Sequence, residues 1–229
     1  MGELSAKLME ELNCDVVFHI PIFGGIPIYE SVVVSWMIIA ALLVVILLLT
    51  RNLKVENPKK GQLMLESIVS WVYKLFYDLL GEKGKRYIPY LMTVLMYLAL
   101  SNLMGLIGFK PPTKDLTVTA ALAIMSIILI EYAGIHAKGA KKWAKSFAEP
   151  VAIIAPLNVL EIVIRPLSLC MRLFGNMLGG FVVMELIKQI LPVFLPILPS
   201  FYFDIFDGLL QAYVFVFLTS LFMKEAIEE

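Results

Sequence analysis

The chain has 229 residues, of which 60% are hydrophobic and only 17% are charged. A soluble globular domain has about 45–50% apolar and about 25% charged residues, so this composition excludes one and predicts an all-α integral membrane protein. The formal net charge is zero, which argues against a basic surface for nucleic acid.

The first 30 residues carry acids where a signal peptide has bases followed by an apolar core. We therefore expect no cleaved presequence and treat 1–30 as an extracytoplasmic segment, with residues 31–229 as a single integral membrane domain. The two cysteines, Cys14 and Cys170, have no spacing typical of a metal or redox site, and each is interpreted as a small buried apolar residue. No cofactor is expected.

Three apolar runs are long enough to span the hydrocarbon layer, which takes about 20 helical residues. They cover residues 31–50, 87–109 and 116–137. Between the first two, residues 62–80 repeat apolar side chains at helical spacing among polar ones. That pattern predicts an amphipathic helix that lies at the membrane interface or packs on a partner.

Two further apolar stretches, about 151–191 and 200–223, predict a final helical hairpin, so that about five to six helices are expected in all. The first stretch is about twice as long as a normal span. A helix of that length must tilt strongly, lie partly flat or break, and Pro156 and Pro166 are the candidate break points.

Basic residues in the short loops predict the orientation of the spans. Lysines and arginines follow the first and the third span, whereas the loops after the second span and near 191–200 are nearly neutral. With both basic loops in the cytoplasm, the N-terminus lies outside and the C-terminus lies in the cytoplasm.

Arg172 stands inside the apolar stretch "RPLSLCMRLFGNMLGG", residues 165–180. A charge there is costly, and a guanidinium cannot lose its proton. On an α-helix Asn176 shares the face of Arg172, and Gly175 and Gly179 fall near the same stripe, where small residues let another backbone approach. The alternative is a helix-packing motif whose arginine is paired internally or reaches the interface.

Other polar residues fall in the same two helices. An α-helical spacing puts Asp204, Asp207 and Gln211 on one face; the two aspartates could also be interfacial charges at a helix N-terminus. Gln211 lies deeper and is expected to bond within a polar path or to Arg172. Glu185 faces away from Arg172 and could instead form an interfacial pair with Lys188. Carboxylates, an amide and one fixed arginine are the parts of an ion relay.

The stretch 165–180 resembles the signature of subunit a, the membrane stator of the rotary F-type ATP synthase, through its basic-Pro-x-Ser and R-L-F-G-N elements. Supporting similarities are found in "YIPYLMTVLMYLALSNLMGLIG", "PPTKDLTVTAALAI", "PLNVLEIVIRPLSL" and "GLLQAYVFVFLTSLFM". The resemblance covers about residues 30–229.

The resemblance implies a non-catalytic subunit that carries protons or sodium ions through two offset half-channels. Arg172 would be the essential arginine facing a ring of c subunits, with Gln211 close to it and Asn176 lining the path. Its other implied partners are subunit b of the peripheral stalk, further ATP synthase subunits and membrane lipid, in a bacterial-type inner membrane.

The chain departs from the family pattern at two positions. Many members have an acid nine residues after the arginine, where this chain has Phe181, and many bacterial members have a histidine seven residues before the glutamine, where it has Asp204. The outer access path is therefore predicted to use Glu185, Asp204 and Asp207. The competing interpretations are a secondary transporter whose arginine binds an anionic substrate, and a scaffold that anchors partner helices without transport.

Overall fold

Helices make up most of the computed structural model, which describes residues 16–20, 26–51, 53–54, 58, 60–146, 155–190, 199 and 201–228. The α-helices are α1 (Glu30–Thr50), α2 (Lys60–Gly84), α3 (Ile88–Ile107), α4 (Leu116–Lys138), α5 (Ala140–Ser146), α6 (Ala155–Ile190) and α7 (Gly208–Glu228). Short 3-10 helices cover Lys85–Tyr87 and Pro112–Lys114, and a π-helical segment, Phe201–Asp207, leads into α7.

A small β-hairpin, which the hydropathy pattern does not predict, precedes α1. Strands β1 (Val16–Ile20) and β2 (Ile26–Tyr29) pair in antiparallel orientation. Their β-branched and aromatic residues favour an extended backbone. A two-stranded hairpin is at best marginally stable alone, so its attachment to the start of α1 matters for its order.

Five helical stretches in the described part of the chain are long and apolar enough to cross a membrane. This confirms the prediction of an all-α membrane protein. Helices α1, α3 and α4 correspond to the apolar runs 31–50, 87–109 and 116–137. The amphipathic segment 62–80 lies inside α2.

Helix α2 packs on its own chain through its C-terminal half. Phe76 and Leu80 are buried against α3 and α7, whereas Ile68 and Trp71 in the first half are exposed. The sequence predicts that this helix lies at the membrane interface or packs on a partner. Its second half does pack, but on other helices of its own chain. The apolar first half remains available to lipid or to another subunit.

Helix α7 is the centre of the packed core. It contacts α2, α3, α4 and α6, and Phe215, Val216 and Met223 are almost completely buried along its length. Helix association in a membrane depends on close van der Waals packing and on hydrogen bonds between helices. Residues on α7 are therefore held more firmly than residues on α1, whose second half is exposed.

Helix α6 runs without a break through Pro166. Of the predicted alternatives, a break at the candidate position Pro166 does not occur, because neighbouring helices can compensate for the missing N–H group of a proline within a membrane helix. Pro156 lies in the first turn, where its missing N–H would be unpaired anyway. The 36 residues of α6 are about 54 Å long. A layer about 30 Å thick accommodates this length only if the helix tilts or extends beyond it.

A buried polar joint connects α3, the loop after it and α7. The side chain of Asn102 is fully buried; its Nδ2 donates to the Gly208 carbonyl at 2.7 Å, and its Oδ1 accepts from Thr113 Oγ1 at 2.8 Å. A Cβ atom on Gly208 would lie 3.1 Å from the Cβ of Asn102, so this close approach favours glycine, since a side chain would push the two helices apart by a few tenths of an ångström. Nearby, Asp115 caps α4 by accepting from the Thr117 amide at 2.8 Å.

These contacts define two ends of the bundle. We call the end with Asn102, Asp115 and Gly208 the outer end, after the orientation that the basic loops predict. The opposite end, with Lys138 and Glu228, is the inner end.

Replacing Asn102 with leucine should destabilise the protein, because the Thr113 hydroxyl would be left buried without its acceptor and the Gly208 carbonyl would lose its bond from α3. We expect a loss of about 1–3 kcal/mol in the free energy of unfolding, measured as a lower thermal unfolding midpoint in detergent. The control is Thr93→Val on the same helix, since Thr93 is exposed and its hydroxyl bonds to the Pro89 carbonyl within α3. Equal unfolding midpoints for Asn102→Leu and Thr93→Val would show that the bonds of Asn102 do not stabilise the fold.

Candidate functional site on helices α6 and α7

Arg172 lies near the middle of α6 and is exposed on the surface of the chain. It makes no hydrogen bond or ion pair with any residue in the described part of the chain. Helix α6 instead packs through Leu169, Leu173 and Met177, which are buried. An arginine paired inside its own chain is the predicted alternative. Among the described residues Arg172 has no such partner.

Glycines beside Arg172 leave room on the surface of α6. A Cβ atom added to Gly175 or to Gly179 would have no other atom within 4 Å. Met171, which adjoins Arg172 in sequence, and Leu167, farther round the helix, are also more than half exposed. The arginine thus stands in an apolar surface with open space next to it, and a second helix can approach closely there.

Asn176 and Gln211 join α6 to α7 about one turn away from Arg172. Asn176 Nδ2 donates to Gln211 Oε1 at 2.7 Å. Gln211 is only 2% exposed, and its Nε2 has no hydrogen-bond partner among the described residues. A buried N–H group without a partner is costly, so the Nε2 amino group of Gln211 is available to donate to a group that enters from the surface. The bond of Gln211 goes to Asn176 and not to Arg172.

The three predicted pathway acids differ in what the structure describes. Asp207 is partly buried and directly precedes Gly208 at the outer end. The side chains of Glu185, Lys188 and Asp204 lie outside the described residues. Because Phe201–Asp207 is π-helical, the α-helical spacing that puts Asp204 on the face of Asp207 and Gln211 does not apply to it.

Lys114 is a buried cation at the outer end that sequence analysis missed. It is 4% exposed, and its Nζ lies 3.8 Å from the centre of the Phe181 ring. Phe181 is the residue nine positions after Arg172. A cation over a desolvated aromatic ring gains about 2 kcal/mol, so this contact holds the 3-10 helix Pro112–Lys114 against α6. The sequence contains the lysine but carries no signal that it is buried.

A three-residue charge cluster lies on the inner half of α6. Arg165 Nη2 donates to Glu161 Oε2 at 2.6 Å and to Glu225 Oε1 of α7 at 2.7 Å. The guanidinium also lies over the ring of Phe222, 5.1 Å from its centre. Glu161 and Arg165 are four residues apart, a spacing that indicates pairing on a helix. Nothing in the sequence pattern identifies Glu225 as the second partner.

The described residues contain no group of three or more His, Cys, Asp or Glu side chains that could hold a metal ion. Cys170 is buried and free, and its Sγ lies 3.6 Å from Thr119 Oγ1. Its interpretation as a small buried residue is confirmed, whereas Cys14 lies outside the described residues.

Comparison with known proteins gives a consistent result over most of the chain. A family model described as ATP synthase A chain matches residues 32–224. The ATP synthase subunit a of Moorella thermoacetica is 38% identical over 204 residues, which cover 89% of this chain and 91% of that protein. Subunit a of Geobacter sulfurreducens is 34% identical over 228 residues, covering 97% and 94%. A subunit a 2 from Bradyrhizobium is 35% identical over 217 residues, covering 94% and 95%.

The bond between Asn176 and Gln211 should be measurable in a double-mutant cycle. We expect Asn176→Ala and Gln211→Met to be non-additive in the free energy of unfolding by about 0.5–1.5 kcal/mol, because each single change already removes the same bond. In the control cycle Asn176→Ala is combined with Thr219→Val. The hydroxyl of Thr219 donates to the Phe215 carbonyl within α7 and not to Asn176. Additivity in the first cycle would contradict the bond.

Proposed function

The chain belongs to the ATP synthase A chain family, and from that premise we propose that it acts as the ion-translocating stator subunit of a rotary F-type ATP synthase. It is a multi-pass membrane protein. The observation that carries the proposal is Arg172, an exposed and permanently charged residue in the middle of an apolar helix. The cost of leaving such a charge unpaired toward lipid is high, so a partner outside the described residues is expected to face it.

That partner is proposed to be the ring of c subunits, each of which carries an ion-binding carboxylate. A cation within about 4–6 Å favours the ionised form of a carboxylate. A ring carboxylate that reaches Arg172 therefore releases its ion, and it binds a new one after it has passed. An arginine suits this role better than a lysine because it stays charged at any accessible pH.

The surface of α6 supports close approach of the ring. Gly175 and Gly179 have open space where a side chain would be, so a ring helix can come near enough for its carboxylate to reach Arg172. The buried Gln211 holds Asn176 in place beside the arginine. An arginine and an amide in fixed positions let every ring subunit meet the same electrostatic environment.

Two half-channels on opposite sides of Arg172 are proposed to bring ions to the ring and take them away. The outer one uses Glu185, Asp204 and Asp207, which belong to the ends of the last two long helices nearest the outer end. An ion cannot pass straight from one half-channel to the other, because it would meet the positive charge of Arg172. Each elementary charge that crosses at 100 mV contributes about 2.3 kcal/mol, which is the energy available for rotation.

The proposal includes the remaining assembly. Subunit b of the peripheral stalk and other ATP synthase subunits are expected as partners, in a bacterial-type inner membrane with the N-terminus outside and the C-terminus in the cytoplasm. The transported ion is a proton or a sodium ion. ATP hydrolysis and synthesis take place on other subunits of the complex.

Arg172→Ala should abolish ATP-driven ion pumping by membrane vesicles, because the ring carboxylate would no longer be forced to release its ion. Arg172→Lys should lose most of the activity, since an ammonium lacks the planar fork and can lose its proton. Pumping is followed as quenching of a pH-sensitive dye, with and without added sodium. Arg86→Ala is the control, because Arg86 is an exposed arginine far from α6 in sequence.

Assembly must be intact for this comparison, so the amounts of the ring and of subunit b that co-purify with each variant are measured. Normal pumping by an assembled Arg172→Ala complex would refute the proposed function. Purification of the chain from native membranes as a lone active carrier would favour a secondary transporter instead.

The acids of the outer half-channel are tested by neutral replacements. Asp204→Asn should reduce pumping without abolishing it, because the three acids share the path. Combined replacement of Glu185, Asp204 and Asp207 by their amides should bring pumping close to the level of Arg172→Ala. Full activity of the triple variant would remove these residues from the pathway and leave the role of Arg172 unaffected.

A further inference from the structure

One face of α6 carries a polar side chain on almost every turn from the inner end to Arg172. The residues are Glu161, Arg165, Ser168, Arg172 and Asn176. At 100° per residue they stay within about 80° of one another. Ser168, like Arg172 and Asn176, is exposed. The rest of the exposed α6 surface in this half consists of large apolar residues such as Leu160 and Val163, so the stripe is a narrow polar path along a hydrophobic wall.

The charge cluster of Glu161, Arg165 and Glu225 lies at the inner end of this path. The carboxylates of Glu161 and Glu225 both bind the same nitrogen atom, Nη2 of Arg165, at 2.6 and 2.7 Å. The guanidinium is therefore not used in a two-pronged pair with either acid. Two carboxylates and one guanidinium give the cluster a net charge of −1. The acidic side chains are 54% and 39% exposed, so that they can exchange cations with the surroundings.

We propose that Glu225 and Glu161, held by Arg165, form the inner mouth of the ion pathway and concentrate the transported cation there. This inference rests on the proposed function. Arg165 lies seven residues before Arg172, which is about 10 Å along the helix. A net negative charge at this distance offsets the repulsion that Arg172 exerts on an incoming cation, and a locally negative surface raises the concentration of cations beside it. Ser168, halfway between them, supplies a hydroxyl that can accept and donate hydrogen bonds.

Other charged groups near the inner end have partners or positions of their own. On α7, Lys224 lies 3.9 Å from Glu228. Helix α4, which packs against both α6 and α7, carries Glu131, bonded to Trp143 Nε1 at 2.9 Å, and His136, stacked on Tyr132. Helix α2 also contacts α7 and carries Lys74, Asp78 and Glu82. Among these groups, Arg165 is the one that the structure brings into direct contact with Glu225.

The test uses the intact complex in inverted membrane vesicles, in which the inner mouth faces the medium. ATP-driven pumping is measured while the medium pH is varied at fixed sodium, and again while sodium is varied at fixed pH. For Glu225→Gln we expect the concentration of the coupling cation that gives half-maximal pumping to rise about threefold to tenfold, the effect of one charge at this distance. The maximal rate should change little, because Arg172 and the ring are unaffected.

The matched control is Glu228→Gln, which removes an acid from the same helix that is 58% exposed and lies outside the cluster. It should leave both profiles unchanged. Glu161→Gln should reproduce the shift of Glu225→Gln, because it makes the cluster neutral in the same way. Since Glu161 is more exposed, this variant also gives the answer if Glu225→Gln fails to assemble.

A purely structural ion pair between α6 and α7 predicts a different result. An amide can still accept a hydrogen bond from Arg165, so Glu225→Gln would lower at most the amount of assembled complex and would leave the half-maximal cation concentration unchanged. That outcome, or equal behaviour of Glu225→Gln and Glu228→Gln, would overturn the inference. If the wild-type complex pumps and Arg172→Ala does not, such a result leaves the proposed function intact; if Arg172→Ala pumps normally, the proposed function itself fails.

Discussion

An arginine in the middle of an apolar helix has to find a counter-charge, because its guanidinium can neither lose its proton nor be left bare in hydrocarbon without a large cost. In this chain Arg172 finds no such group among the described residues of its own fold. Arg165, two turns away on the same helix, is bound by two carboxylates. The two arginines thus differ: the charge of Arg165 is compensated within the chain, whereas that of Arg172 is left to a group outside the described residues.

The fold fixes the position of that unpaired charge from one side only. Leu169, Leu173 and Met177 bury one side of α6, and the bond between Asn176 and Gln211 ties the helix to α7 at nearly the depth of Arg172. Helix α7 is itself the most enclosed element of the bundle. The surface around Arg172 is therefore supported by a packed core on one side while its outward side stays open, an arrangement that suits the moving partner of the proposed function.

The sequence predicts the helices well, because long apolar runs have few alternatives in a membrane protein. It also draws attention to Arg172, because a charge in such a run is rare, and it predicts that Asn176 shares its face; both residues are exposed on α6. What it misses depends on contacts between distant segments. The burial of Lys114 under Phe181, the joint of Asn102 with Gly208 and the contact of Glu225 with Arg165 join residues at least 60 positions apart or in different helices. Pro166 misleads for a related reason, because its effect on α6 depends on neighbouring helices.

The polar groups at the two ends of α6 have different chemistry, and they set the electrostatic potential that a cation meets at each end. Near the outer end Lys114 is buried against the ring of Phe181, and the neutral side-chain amide of Asn102 joins α3 to the start of α7. Near the inner end two carboxylates share one guanidinium and remain partly exposed. The two exposed carboxylates lower the electrostatic potential that a cation meets at the inner end, and Asp207, which is partly buried, contributes a carboxylate at the outer end. If Arg172 separates two half-channels as proposed, an ion passes from one side to the other only on the rotating partner, and the charges of this chain act on the ion through that partner.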